Sequence, residues 1–168
     1  MLQLNSVANV GVHRTCSPLY EKYQATPYNT FLDPTETANI YSGMVMYRSG
    51  ADTVKILDAT TSGVKPFGLS ALDRNANIDD VTQVGINTWA VWIGGENAFF
   101  SVTAPAFDTS VTYTISTSGN RQFLYAGSGA AAGQLTTASA NGSTPVAELI
   151  DVLSPTQIVV RLVPVGVN

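Results

Sequence analysis

The stretch Val146-Ala147-Glu148-Leu149-Ile150-Asp151-Val152-Leu153-Ser154-Pro155-Thr156-Gln157-Ile158-Val159-Val160-Arg161-Leu162-Val163 reads as a β-hairpin, and its reading decides the fold class. Two apolar runs, 146–152 and 158–163, flank Ser154-Pro155-Thr156. Proline after serine suits the second position of a type I turn, because its ring presets φ. Alternate residues of a strand share a face. Ile158, Val160 and Leu162 therefore form one face, and Arg161 lies on the other between Val159 and Val163. Two nearly apolar faces predict cover on both sides, by the core and by a partner chain.

The same pattern extends toward the N-terminus. Short apolar runs at residues 40–47, 53–58, 64–72, 87–93, 98–103, 111–116 and 122–126 read as further strands. Ser49-Gly50, Ser62-Gly63, Gly94-Gly95, Ser118-Gly119-Asn120 and Asn141-Gly142 separate them. Glycine and asparagine tolerate positive φ at little cost, so these are turns with a mechanism. Strands recurring at roughly 8–12 residues mark a sandwich or barrel. No window shows a capped 3.6-residue stripe, and at most one helical turn is expected near residues 73–80. The fold class is all-β, a single β-barrel or jelly-roll-like sandwich over residues 39–168. Within it, residues 127–144 are rich in Gly, Ala, Ser and Thr, with Leu135 the one large apolar side chain. This stretch reads as a long mobile loop.

Residues 1–38 differ. They hold Pro18, Pro27 and Pro34 among the aromatics Tyr20, Tyr23, Tyr28 and Phe31, without sustained periodicity. Proline stops helices and pushes its neighbour to extended conformations. An extended N-terminal arm is expected, with an irregular strand pair on the same domain as the alternative. Ordering an arm costs roughly 1–2 kcal/mol per residue. The four aromatics are the side chains whose burial on a partner would offset it.

Composition narrows the function. Of 168 residues 45% are hydrophobic and only 12% charged, and the net charge is −4. The surface must be built from Thr, Ser, Asn and Gly, which suits repeated protein–protein contact. Eight Lys and Arg make no dense basic patch, so no nucleic acid is expected as partner. No apolar run approaches the ~20 residues that span a bilayer, so no membrane is expected either. The first six residues have no basic start and no long apolar stretch, and do not read as a secretory signal.

Candidates for chemistry fall away one by one. Cys16 is the one cysteine; His13 lies three residues before it, on the opposite face of an extended segment. A small ordinary thiol is the reading. Asp73, Asn75, Asn77 and Asp79 alternate like the oxygen ligands of a calcium loop, but Ile78 and Val84 stand where Gly and Glu are required. A solvated loop is expected there and no metal. Gly127 to Gly133 lacks the spacing of a dinucleotide loop, so no cofactor is expected. The acids are scattered, not paired as a glycosidase needs. Trp89, Trp92, Phe99 and Phe100 bracket Gly94-Gly95 and read as core or subunit interface, with sugar stacking as the alternative. No catalytic residues are assigned, and the chain reads as no enzyme.

Several segments, in order, resemble the capsid decoration (cement) proteins of tailed phages. They are Tyr41-Ser42-Gly43-Met44-Val45-Met46, Lys65-Pro66-Phe67-Gly68-Leu69-Ser70, Val102-Thr103-Ala104-Pro105-Ala106-Phe107, Phe123-Leu124-Tyr125-Ala126, Gln134-Leu135-Thr136 and the terminal hairpin. The resemblance covers residues 40–163. It implies a barrel or jelly-roll-like domain, usually a homotrimer, on the outer surface of the capsid in the virion. There it would bridge major capsid protein subunits without any catalytic residue. Tyr20, Tyr23, Tyr28 and Phe31 would then be the capsid contacts. Another virion β-protein (tail, fibre or vertex) and a carbohydrate-binding module are the alternatives.

Overall fold

The computed structural model describes residues 16–18, 27–74, 88–93, 98–115, 121–139 and 144–163, and all that follows concerns these. Eleven strands occur: β1 (Cys16–Pro18), β2 (Tyr28–Leu32), β3 (Val45–Arg48), β4 (Thr53–Ile56), β5 (Gly68–Ser70), β6 (Thr88–Trp92), β7 (Phe99–Thr103), β8 (Phe123–Ala126), β9 (Leu135–Thr136), β10 (Ala147–Ser154) and β11 (Gln157–Leu162). The one helical element among the described residues is a 3-10 turn at Gly129–Ala131. The all-β expectation holds.

The strands form two units. Five close a barrel in the order β2-β4-β3-β5-β6, and six form an open sheet in the order β1-β7-β11-β10-β8-β9. Period-two alternation explains how one set of strands serves two cores. Leu32, Met46, Val54, Trp89 and Val91 point into the barrel and, with Ile40, fill it. Their strand neighbours Val45, Leu69 and Trp92 point outward and meet the open sheet. That sheet contributes Phe100, Val102, Leu124, Ala147, Leu149, Ile158, Val160 and Leu162. Trp92 stacks at a tilt on Phe100, with ring centroids 5.4 Å apart, at the centre of this second core.

Strand β2 makes the barrel closed. It runs antiparallel to β6, from Tyr28 against Val91 to Phe31 against Thr88. On its other side it runs parallel to β4, with Phe31 against Thr53 and Leu32 against Val54. Residues 28–32 thus belong to the barrel, and the extended arm read over residues 1–38 does not describe them. The sequence hid this strand because one of its two buried residues, Thr30, is polar, and its hydroxyl donates to the Asp52 carbonyl at 2.5 Å. Strand β1 also falls in that stretch and pairs antiparallel with β7, Cys16 against Val102.

The terminal hairpin forms as read. Glu148 faces Arg161, Leu149 faces Val160, and Pro155-Thr156 make the turn between Ser154 and Gln157. Ser154 Oγ accepts from the Thr156 amide at 3.2 Å. Ile158, Val160 and Leu162 are buried on one face as expected. Val159, on the other, is buried within this same chain, so that face does not depend on a partner alone.

Two further expectations need correction. Residues 127–136 are not a mobile loop. The Gly133 amide donates to the Leu57 carbonyl at 2.9 Å, the Gly127 amide to the Gln134 carbonyl at 2.8 Å, and the Gly127 carbonyl accepts from Ala59 at 3.0 Å. Leu135 is fully buried. Small residues are used here for close approach: a Cβ on Gly133, at φ +78°, would lie 2.5 Å from Ile56 Cγ2. The expected strand at residues 111–116 is also absent among residues 111–115. Instead the Tyr113 hydroxyl contacts the carbonyl oxygens of Asp108 and Leu135 at 2.9 and 2.8 Å, and its ring meets Phe107 edge-on.

Candidate functional site

The acids that sequence left unpaired serve turns. Three Asp-x-Thr/Ser segments repeat one local geometry, in which the first carboxylate accepts from the amide and the hydroxyl two residues on. They are Asp33 with Thr35, Asp58 with Thr60, and Asp108 with Ser110. The Thr35 hydroxyl, then the Ser49 hydroxyl and the Thr35 amide, lower the Asp33 carboxyl to about 2. The Thr60 amide and hydroxyl, with the Gly129 amide, likewise lower Asp58. Burial, and secondarily the Asp108 charge, push the Tyr113 hydroxyl above its ordinary range. Hydrogen bonds to the charged form favour it. Among the described residues no three His, Cys, Asp or Glu side chains are grouped so as to hold a metal ion. Asp73, the first residue of the calcium-like run, accepts from the Ser42 amide at 2.5 Å. Residues 75–80 of that run, with His13 and Gly94-Gly95, lie outside the described residues.

Of the four aromatics near Gly94-Gly95 three are core, and Phe99 is half-buried on the outer face of the open sheet. Trp89, Trp92 and Phe100 are buried, and Trp89 Nε1 donates to Ser70 Oγ at 3.0 Å inside the barrel. The Trp92 indole N–H is buried and has no hydrogen-bond partner among the described residues. None of the three presents a ring to solvent for a sugar.

The barrel has two mouths of different character. At one, where β2 and β4 end, a strap of residues 33–44 crosses and is pinned by charge. Ile40 and Arg74 exchange backbone hydrogen bonds at 2.8 and 2.9 Å. The buried Arg74 guanidinium donates to the Glu36 and Ala38 carbonyl oxygens at 2.7 and 3.3 Å. The buried Glu36 carboxylate accepts from the Ile56 and Ala38 amides, each at 3.0 Å. At the other mouth β2 begins, β3 ends and β5 begins. There Tyr28 and Phe67 meet edge to face at 5.5 Å. The Arg48 guanidinium lies over both rings, 4.5 Å from Phe67 and 5.4 Å from Tyr28. Arg48 shares the inward parity of Met46, and Tyr28 that of Thr30 and Leu32. The three side chains therefore cap the barrel. Sequence reasoning singled out Tyr28 but missed Arg48. The available signal was a cation closing a strand whose preceding inward position is apolar.

Of the four aromatics expected to touch a partner, Tyr28 and Phe31 are brought onto one strand, 40% and 45% exposed. Phe31 projects from the barrel wall and Tyr28 lies at the mouth. Tyr20 and Tyr23 lie outside the described residues. The outer face of the open sheet carries a second patch, a register row of Phe99, Arg161, Glu148 and Phe123 on four adjacent strands. Glu148 is bound there by Arg161 and, at 3.5 Å, by Arg121. At the hairpin tip a register shift between Val152 and Ser154 leaves Leu153 unpaired and 52% exposed. Bulges commonly re-aim a side chain in this way.

The site is thus a set of exposed side chains on a paired β-frame, and among the described residues no group of His, Cys, Asp and Glu able to hold a metal accompanies them. A search of curated proteins returned no match. A solved structure titled "The capsid of Myoviridae Phage XM1" has a chain that matches with a TM-score of 0.53 and 15% identity, covering 84% of this chain and 85% of that one. At that identity the likeness speaks for the fold. A family model described as phage cement protein matches residues 2–167. Nearly the whole chain is spanned by that match, and the chain belongs to the phage cement protein family.

Proposed function

We propose that this protein cements a phage capsid by lying on its outer surface as a homotrimer and bridging neighbouring major capsid subunits. Membership of the cement family makes it a structural, capsid-associated component of the virion and not an enzyme. The observation that carries the finer reading is the exposure of Tyr28 and Phe31 on a strand locked into a closed barrel. The Phe31 backbone is paired on both sides, with Thr53 and Thr88, and that of Tyr28 on one, with Val91, so little order is lost when a partner covers the rings. Tyr20 and Tyr23, in the segment before β2, are assigned to the same contact. Exposed Ile115 and Leu153 offer the apolar surface from which a trimer would be built. A specific contact of standard size buries ~1,600 Å² in total, and three copies acting together multiply modest contacts by avidity.

The test is a density map of the intact particle beside light scattering of the isolated protein at micromolar concentration. The expected results are trimeric density outside the shell over capsid-subunit boundaries, and a trimer in solution. Density confined to the tail or the inner surface would refute the capsid placement. A monomer that stays monomeric would refute the trimer.

A further inference from the structure

We infer that the barrel mouth built from Tyr28, Arg48, Lys65 and Phe67 docks an acidic segment of the capsid protein, whose carboxylates meet Arg48 and Lys65. The inference rests on the capsid-cement reading above and names the chemistry of one of its contacts.

The argument starts from the distribution of charge. The chain has eight Lys and Arg against twelve Asp and Glu, so cations are scarce, and four of the six described ones are engaged within the chain. Arg74 is buried against backbone carbonyls. Arg121 and Arg161 are bound to Glu148. Lys55 donates to the Thr35 hydroxyl at 3.0 Å, next to the Asp33 carboxylate. Arg14 and Lys22 lie outside the described residues; of the other six, Arg48 and Lys65 remain, and neither has an ion pair among the described residues. Both are exposed, and Lys65 is two residues from Phe67. Among the described residues, the two cations without an ion pair are therefore Arg48, at this mouth of the barrel, and Lys65, two residues along the chain from its Phe67. An exposed cation without an ion pair is a place where a negatively charged partner gains attraction.

The geometry makes this more than a charged spot. Arg48 is held over two rings, which fixes the guanidinium plane before any partner arrives. A preordered guanidinium loses less conformational freedom on binding, and its forked N–H groups match a carboxylate with two parallel hydrogen bonds. Tyrosine and arginine side by side are also the residue types that dominate binding hot spots. Two cations are too few to track a nucleic-acid backbone, where affinity comes from many neutralised phosphates. They suffice for one or two carboxylates of a protein segment.

The experiment uses capsid shells assembled from the phage's own major capsid protein without this chain, and measures binding of the full-length protein by co-sedimentation over a range of salt. Wild type should bind, and more weakly as salt rises. The double variant R48Q/K65Q should bind about tenfold more weakly or worse and lose most of that salt dependence. K55Q, the same charge change elsewhere on the barrel, should bind as wild type does. K65Q alone, at an exposed position, keeps the test open if Arg48 proves necessary for folding. Wild-type affinity and salt dependence in the folded double variant would overturn the inference. Loss of self-association at unchanged capsid affinity would overturn it too, since the occupant would then be a second copy of this chain. Failure of wild type itself to bind the shells would instead refute the capsid reading on which the inference rests.

Discussion

A Cβ placed on Gly68 would lie 2.1 Å from the carbonyl oxygen of Trp92. Backbone is there, not a side chain that can turn away, so β5 and β6 could accept alanine only by separating. Gly68→Ala is expected to destabilise the protein by about 1–3 kcal/mol or more, read as a lower urea midpoint. An unchanged midpoint would mean that the two strands pack less closely than described. Asp33 carries a different kind of constraint. Its carboxyl is lowered from 3.8 to about 2 by Thr35 and Ser49. A group whose folded pKa lies below its unfolded one contributes stability above the unfolded value and loses it as pH falls through the folded value. Stability should therefore decline between about pH 4 and pH 2. Asp58, lowered for the same reason, acts in the same sense. Asp33→Asn should flatten that part of the profile, and a variant with the wild-type slope would show that Asp33 contributes nothing to it.

The segment Gly127–Thr136 shows how an element can be ordered without looking so. Small residues have little surface to bury, yet they let backbone reach backbone, and here the gain is hydrogen bonding to the barrel at Leu57 and Ala59 plus one fully buried anchor, Leu135. The amides of Gly127, Gly133 and Leu135 should exchange slowly with solvent deuterium, as core strands do and mobile loops do not. Leu135→Ala should cost about 2–5 kcal/mol, the range for a buried leucine. Fast exchange at all three amides would return the segment to the status of a loop. The terminal hairpin is the opposite case, an element whose pattern announces it. Its two register shifts were not announced, because a bulge depends on which partner residues face the strand.

For the molecule as a whole, the decisive event is closure of the barrel by β2. Without β2, β4 and β6 would each expose an unpaired edge, and such edges invite aggregation. Removing residues 1–26 should delete β1 from the edge of the open sheet but leave a cooperatively melting protein. Removing residues 1–32 should abolish cooperative melting, because Leu32 and both ladders of β2 go with it. Circular dichroism with a thermal melt separates the two. If the longer truncation melts like the shorter, β2 is dispensable and the barrel is not the folding unit.

Chain order and local chemistry were enough for the all-β class, for most strands from β3 onward, for the face of the last hairpin that would be buried, and for reading Trp89, Trp92, Phe99 and Phe100 as core or interface, of which all but Phe99 are core. Each follows from period two, turn residues or bulk, which are properties of a few neighbouring residues. The resemblance in segments 40–163 likewise pointed to the cement family. The tertiary structure decided the rest. It made Tyr28–Leu32 a barrel strand, through contacts with partners 22 and 57 to 63 residues away in the chain. It also ordered Gly127–Thr136, and it brought Arg48, Phe67 and Tyr28 together at one mouth. Closure of a barrel joins residues distant in sequence, and the stability of each such contact comes from the partner it meets. No local pattern encodes the partner, so neither the missed strand nor the cationic mouth could be read before the fold was known.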